Sequence, residues 1–439
     1  MLFDEDYKIV LEQNTRIREI KDEDDFPAED LESLRSFILD AMNKILSGGE
    51  FHITAVNFSA YGASFIYLNE RREVIAPLYN YLKPYPENLH HQFYQKYGGE
   101  ENFSLQTASP VLGNLNSGMQ LYRIKYEKPE LFRKIRYAMH LPQYLSFLLS
   151  GCIYSELTSI GCHTGLWDFK KNAYHTWVEK EGLLDKMPPI VNSNRFVETN
   201  ISGSRFHTGV GLHDSSAALL PYLIRFNEPF ILISTGTWCI TLNPFLQKDL
   251  TADELKNDCL FYLQYNGAPV KAARLFTGYE YEEQVERMAI HFNTDTDYLR
   301  NIPFDPVIIE KLQKRFAKDN LFRNEFSFGK RDLSLFPSAE AAYHQLMVDL
   351  VEKQRISSDY VLGDKKIKNI YVDGGFSRNE IYMNLMAAAF PDNEILSSSM
   401  AQASGLGSAL ILHEIWNTKT VPENMIELKS YSGTEKTKR

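Results

Sequence analysis

The stretch Val210-Gly211-Leu212-His213-Asp214-Ser215-Ser216-Ala217-Ala218-Leu219-Leu220-Pro221 sets one carboxylate at the entrance of an apolar helix. Some ten residues on, Ile231-Leu232-Ile233-Ser234-Thr235-Gly236-Thr237-Trp238 reads as a strand running into a turn rich in hydroxyls and glycine. The pair suggests a base beside a phosphate-binding turn. Phosphoryl transfer to an alcohol needs both: a group that accepts the hydroxyl proton, and backbone N–H groups that hold phosphate oxygens.

Working outward, the chain of 439 residues is long enough for two to four domains. Hydrophobic residues make up 44% and charged residues 24%, the balance of an ordinary globular protein. The net charge of -10 argues against a general nucleic-acid binder, which needs basic patches to neutralise phosphates. Cys152, Cys162, Cys239 and Cys259 show no C-x-x-C spacing and read as reduced thiols of a cytoplasmic protein. No signal peptide is expected from the acidic opening Met1-Leu2-Phe3-Asp4-Glu5-Asp6. No apolar run approaches the roughly 20 residues of a membrane span, so no membrane partner is expected.

Residues 7–12 read as a short strand and the acidic run 22–25 as a solvated loop. A helix is expected from Pro27, with Leu31, Leu34, Ile38, Ala41 and Ile45 at helical spacing. Strands follow at 52–58 and 65–68, and helices dominate 115–150, ending at Gly151. Strands alternating with helices give an α/β protein. The turn-rich segment at 195–209 suggests a domain change, giving domains at 1–200 and 205–439. The segment 280–335 is charged and expected helical, and the tail from 430 to 439 frayed.

Each motif has a plainer reading. Asp214 stands where a helix N-cap would, so capping and catalysis weigh equally. His213 reads as a packing or hydrogen-bonding residue, because no second ligand sits at metal spacing. Residues 234–237 could be a simple hairpin turn before 238–242; on the functional reading, Gly236 admits a phosphate to the backbone and the Thr hydroxyls donate to it. Ile370-Tyr371-Val372-Asp373-Gly374-Gly375-Phe376-Ser377-Arg378-Asn379 is a strand, a glycine pair and a helix start, where a nucleotide could lie against bare backbone. It is neither a Gly-x-Gly-x-x-Gly fingerprint nor a P-loop. Residues 397–410 form a small-residue helix suited to close helix–sheet packing.

In this order and spacing, the four elements resemble the FGGY family of carbohydrate kinases, over nearly the whole chain. The resemblance implies two ribonuclease-H-like α/β domains with an interdomain cleft. It carries Asp214 onto the family's catalytic base, and Ser234, Thr235, Gly236 and Thr237 onto its second phosphate motif. Gly374 and Gly375, with Ser377 and Asn379 of the same turn, fall on its adenosine motif. Leu115-Asn116-Ser117-Gly118-Met119-Gln120-Leu121 and the His213-Asp214 pair are most similar to the rhamnulokinase branch. The resemblance further implies sugar contacts from Tyr61, Gly62, Ala63, Ser64 and His213, with ATP and Mg²⁺ as cofactors. A homodimer would be unsurprising in the family.

Two departures bear on substrate and chemistry. The family opens with a strand and an Asp-x-Gly-x-Thr phosphate turn that this sequence does not show; the missing piece would be about 15–20 residues. A non-catalytic nucleotide- or sugar-binding protein is therefore the alternative reading. At the sugar site, Ala63-Ser64 stand where an acidic residue is frequent, and 79–84 (Tyr-Asn-Tyr-Leu-Lys-Pro) replace an Asp-x-Arg. Fewer carboxylates and more aromatic surface suit a deoxy sugar, whose methyl group wants an apolar contact. L-rhamnulose and L-fuculose lead, with D-xylulose behind. An acetate-kinase-like enzyme or a chaperone ATPase is disfavoured by the Gly-Leu-His-Asp-Ser-Ser-Ala-Ala run.

Overall fold

A computed structural model describes residues 1–316, 327–363, 367–398 and 402–432. The chain forms two compact units that interleave in sequence. The first takes residues 1–225, 247–270 and 402–425; the second takes 226–246, 271–401 and 426–439. The stretch at 195–209 is a hairpin inside the first unit, Phe196–Ile201 against Ser204–Gly209. Ser202 and Gly203 have φ of 52° and 87°, so the turn-forming residues reverse the chain tightly instead of linking domains.

In the first unit, Phe65–Leu68 pairs antiparallel with Tyr137–His140. An aromatic core supports this pair: Phe93 meets Phe103, Tyr122 and Trp177 edge-on, with ring centroids 4.9–5.0 Å apart. The decisive pairing for function is short. Leu212–His213 runs parallel to Ser59–Ala60, with Leu212 opposite Ser59 and His213 opposite Ala60. Both chains then continue in the same direction, so Tyr61-Gly62 and Asp214 emerge side by side. The helix Asp214–Arg225 packs on Ala403–Leu410, where a Cβ on Gly407 would lie 1.9 Å from the Ala217 carbonyl oxygen. The small residues of 403–410 thus serve helix–helix packing, not the helix–sheet packing expected; residues 399–401 lie outside the described residues.

Local readings shift in three places. The first long helix is Leu31–Gly48, capped by Asp30, and Pro27–Glu29 is instead a strand. Asp22 is not solvated: it is buried, binds the Lys83 ammonium and accepts from the N–H groups of Asp24 and Phe26. Strand within 52–58 is confined to Ala55–Val56.

In the second unit the strands run in the order Pro269–Leu275, Cys239–Asn243, Phe230–Thr235, Asn369–Gly374, Glu394–Ser398, Leu428–Tyr431. The central strands Phe230–Thr235, Asn369–Gly374 and Glu394–Ser398 are parallel, and antiparallel strands flank them. Ile231, Ile233, Ile370 and Val372 enter a core with Leu346, Met347, Met383 and Met386, while Phe230 and Tyr371 pack on the opposite face with Phe226. Burial on both faces explains why 230–233 reads as an unbroken apolar run. The register sets Thr235 opposite Gly374, so two turns lie together at the carboxyl ends of neighbouring parallel strands. That edge is where open α/β sheets bind ligands. Among the described residues no helix is long and apolar enough to cross a membrane.

Candidate active site

In the first unit Asp214 opens its helix with its side chain 45% exposed. Oδ1 accepts from the N–H of Ser215 at 2.6 Å, the very next residue, whereas a capping carboxylate reaches two or three residues on. The Ser215 hydroxyl lies 3.3 Å from the same oxygen, and so does Nε2 of His213. All these contacts fall on Oδ1. Oδ2 makes no hydrogen bond among the described residues.

His213 is buried. Its N–H donates to Thr158 Oγ1 at 3.0 Å, and its ring lies 5.1 Å from that of Tyr262 and 6.1 Å from that of His163. Gly62 is glycine for a visible reason: a Cβ there would come within 2.7 Å of Cys162 Sγ and 3.3 Å of His213 Cδ2. The Tyr61 hydroxyl donates to Glu29 Oε2 at 3.0 Å, and its ring meets Tyr81 edge-on at 5.5 Å. Burial holds both phenols above their ordinary pKa, with the charges of Glu29 and Asp214 adding to the effect. Ala63 and Ser64 turn away from this group. The Ala63 carbonyl accepts from Gln120 Nε2, and the buried Ser64 hydroxyl donates to the Tyr79 carbonyl at 2.8 Å.

The sequence reading missed Glu29, Tyr81, Cys162, His163 and Tyr262. Glu29 matters most, because it brings a carboxylate to a site expected to have few. Tyr81 lay within the aromatic stretch 79–84; nothing local marks Glu29.

In the second unit the site is built from backbone. Gly236 and Thr237 are exposed at the turn between Phe230–Thr235 and Cys239–Asn243, so the hairpin reading of this segment holds alongside any phosphate role. The Thr235 hydroxyl is not available to a phosphate. It donates to the Asp373 carbonyl and accepts from the N–H of Phe376 at 3.0 Å. The Thr235 carbonyl accepts from the N–H of Gly375 at 2.9 Å. This one residue staples the two turns together. Gly374 has φ 81°, and a Cβ there would lie 1.8 Å from the Thr235 carbonyl oxygen, so no other residue fits. Around Gly375 the space is open. Ser377 donates to the Gly374 carbonyl at 2.8 Å. Asn379 caps the helix Glu380–Ala389 and donates to the Tyr343 hydroxyl at 2.8 Å. Ser377 and Asn379 thus shape the turn, while Ser234 is half-buried at the strand end.

Two family models match the chain: the N-terminal domain of the FGGY family of carbohydrate kinases over residues 1–219, and the C-terminal domain of carbohydrate kinase FGGY over 227–305. The chain belongs to the FGGY family of carbohydrate kinases. The family's members are sugar kinases, phosphotransferases with an alcohol as acceptor. A rhamnulokinase from Oceanobacillus iheyensis is 20% identical over 410 residues, covering 87% of this chain and 83% of that protein. A carbohydrate kinase from Novosphingobium aromaticivorans superposes with a TM-score of 0.77 at 20% identity, over 99% of this chain and 94% of its own. Plasmodium falciparum glycerol kinase with ADP gives 0.70 at 14% identity, over 95% and 86%. These structures share the FGGY kinase fold with this chain, across enzymes named for different acceptors.

Proposed function

We propose that the chain phosphorylates a hydroxyl of a ketose with Mg-ATP as donor, and that a 6-deoxy-ketohexose such as L-rhamnulose or L-fuculose is the preferred acceptor. The observation that carries this reading is the split environment of Asp214. Oδ1 accepts from the Ser215 N–H with the His213 ring beside it, and Oδ2 is left to accept a proton. A positioned carboxylate of this kind takes the sugar hydroxyl's proton as the oxygen attacks the γ-phosphate. In the second unit, the Thr237 N–H of the exposed turn, whose Gly236 N–H is spent on the Trp238 carbonyl, meets phosphate oxygens as charge develops on them. The open face of Gly375 seats the adenosine. Phosphates and Mg²⁺ arrive together as one substrate.

The acceptor preference rests on the walls around Asp214. Tyr61 and Tyr81 offer ring surface to a methyl group, and Glu29 beside them accepts sugar hydroxyls. The test is ADP release with L-rhamnulose, L-fuculose, L-ribulose, D-xylulose and glycerol. The highest kcat/KM is expected for one of the two deoxy sugars. A better rate with D-xylulose or glycerol would refute the acceptor assignment. No sugar-dependent ADP from folded protein would refute the activity.

A further inference from the structure

Behind Asp214 the fold assembles a donor set that sequence spacing gives no reason to expect. Cys162, His163 and His213 are all buried, and one donor atom from each lies within 4.8 Å of the others. The scaffold beneath them is tied by hydrogen bonds. Cys162 and His163 follow the short helix Leu157–Ile160, whose start is pinned by the buried Glu156 carboxylate, which accepts from the N–H groups of Thr158 and Ser159 at 2.9 and 3.2 Å. The Thr158 hydroxyl donates to the same carboxylate at 2.6 Å and accepts from the His213 N–H at 3.0 Å. The segment carrying the thiol and the strand carrying His213 are therefore tied directly together. Gly62 keeps open the wedge between the sulfur and the Cδ2–Nε2 edge of the His213 ring.

The hydrogen-bond directions set the tautomer of His213. The Ser216 hydroxyl gives its proton to the Leu263 carbonyl at 2.9 Å, so toward Nδ1 of His213, 3.4 Å away, it can only accept. Nδ1 then carries the proton, and the Nε2 lone pair faces Asp214 Oδ1 at 3.3 Å. A lone pair set against a carboxylate is relieved by a cation between them, either a second proton on the ring or a metal ion. A hydrogen bond from the far nitrogen of this kind is also what orients a metal-ligating histidine. A thiol and a second imidazole within reach make the donor set S, N, N with a carboxylate oxygen beside it, which suits zinc and other thiophilic divalent ions. Zinc–ligand bonds of about 2.0–2.3 Å require the donors to close by about 1 Å, within side-chain rotation. Mg²⁺, which prefers an octahedron of oxygens, does not compete for such a set.

We infer that Cys162, His163 and His213 form a binding site for zinc-like thiophilic divalent ions, with the Asp214 carboxylate in reach as a fourth ligand, and that occupancy blocks phosphoryl transfer by withdrawing Asp214. The thiol proton leaves to solvent as the ion binds. The inhibitory half rests on the reading of Asp214 as the base; the site itself does not.

The test begins with chelator-stripped full-length chain titrated with Co²⁺ as a zinc surrogate, without nucleotide or sugar. One equivalent is expected to raise a thiolate-to-cobalt charge-transfer band in the near ultraviolet with strong visible bands of a tetrahedral ion, and Zn²⁺ should displace both. Cys162→Ser should abolish the near-ultraviolet band, His163→Gln should weaken cobalt binding at least tenfold, and Cys152→Ser should change neither. Circular dichroism checks that each variant folds. If Cys162→Ser does not fold, zinc-dependent protection of Cys162 from alkylation in the unmutated chain, mapped by mass spectrometry, decides instead. No charge-transfer band, a band that survives in folded Cys162→Ser, or no protection of Cys162 overturns the site.

The second arm measures turnover with saturating Mg-ATP and the best sugar. One equivalent of Zn²⁺ should cut the rate at least tenfold relative to each protein's own metal-free rate, reversibly with a zinc-selective chelator. Cys162→Ser and His163→Gln should resist. Undiminished turnover with the ion bound overturns the inhibition and leaves the site standing. A chain inactive with every sugar counts against the kinase reading and with it the inhibition, while the cobalt spectrum still reports on the site.

Discussion

The Asp214 neighbourhood and the turn at Thr235–Gly375 are built on opposite plans. Around Asp214 the surface is made by side chains, namely Glu29, Tyr61, Tyr81, His213 and the carboxylate itself, gathered from segments far apart in sequence. In the second unit side chains hold the frame and backbone faces outward. Thr235, Ser377 and Asn379 each engage polar atoms in the fold, and Gly236, Thr237 and Gly375 are exposed, with Arg378 beside them. A group that must discriminate among sugars needs shape and charge from side chains. A group that must hold phosphates, common to every reaction of a kinase, needs only oriented N–H groups and room.

That contrast predicts different failure modes. The largest effect should come from Asp214→Asn, which keeps the size and the Ser215 contact but cannot take a proton. kcat should fall by about 10²–10⁴-fold, the usual worth of a general base, with sugar and ATP affinity nearly unchanged. A variant with more than a tenth of the original turnover would remove Asp214 from the mechanism and break the comparison at its first term.

Next should come Gly278→Ala, at the first turn of the helix Thr277–Phe292. The added Cβ would sit 1.8 Å from the Gly236 carbonyl oxygen and 2.9 Å from that of Thr237, both backbone atoms. The turn must shift, at a cost of about 1–3 kcal/mol in stability, and ATP binding should weaken by more than tenfold. Sugar affinity, measured by calorimetry without nucleotide, should not move. A selective loss of sugar binding would mean that backbone position in the second unit does not govern the nucleotide.

Thr235→Val sharpens the same point, because it preserves shape and removes one hydroxyl. The Asp373 carbonyl and the Phe376 N–H lose a partner, with a penalty of about 1–3 kcal/mol for each buried group left unsatisfied. KM for ATP should rise severalfold while Thr235→Ser stays close to the original. Equal damage from Thr235→Ser would point to packing of the methyl group and not to the staple.

How much of this could be read from the chain follows from the same contrast. The second unit's turns are local: the glycines, the strands before them and the helix starts are contiguous, and Gly374 is dictated by a carbonyl at the neighbouring strand's end. The helix that opens at Asp214, with His213 just before it, could be read for the same reason. Glu29 was not, since it meets Tyr61 only because Pro27–Glu29 is a strand where the apolar spacing read as the start of a helix. Cys162 and His163 reach His213 through the Glu156–Thr158 bonds, which leave no trace in spacing. The hairpin at 196–209 shows the converse error: Ser202-Gly203 signals a turn, and turn chemistry is the same in a hairpin as in a linker.

The smallest expected effect tests the side-chain half most finely. Glu29→Gln leaves an acceptor and a donor beside the Tyr61 hydroxyl and removes only the charge. If Glu29 takes a hydrogen bond from the sugar, KM for the sugar should rise about three- to tenfold, on the order of 1 kcal/mol, with kcat and KM for ATP unchanged. The same substitution should widen the gap between the deoxy sugar and its hydroxylated analogues, because the carboxylate favours hydroxyls while the Tyr61 and Tyr81 rings favour the methyl. If instead Glu29 only braces Tyr61, a Tyr61→Phe variant, which cannot bind Glu29, should reproduce the whole effect and the double variant should add nothing. Additive losses would assign Glu29 to the sugar and Tyr61 to the apolar wall, which is the division of labour that a site made from side chains permits.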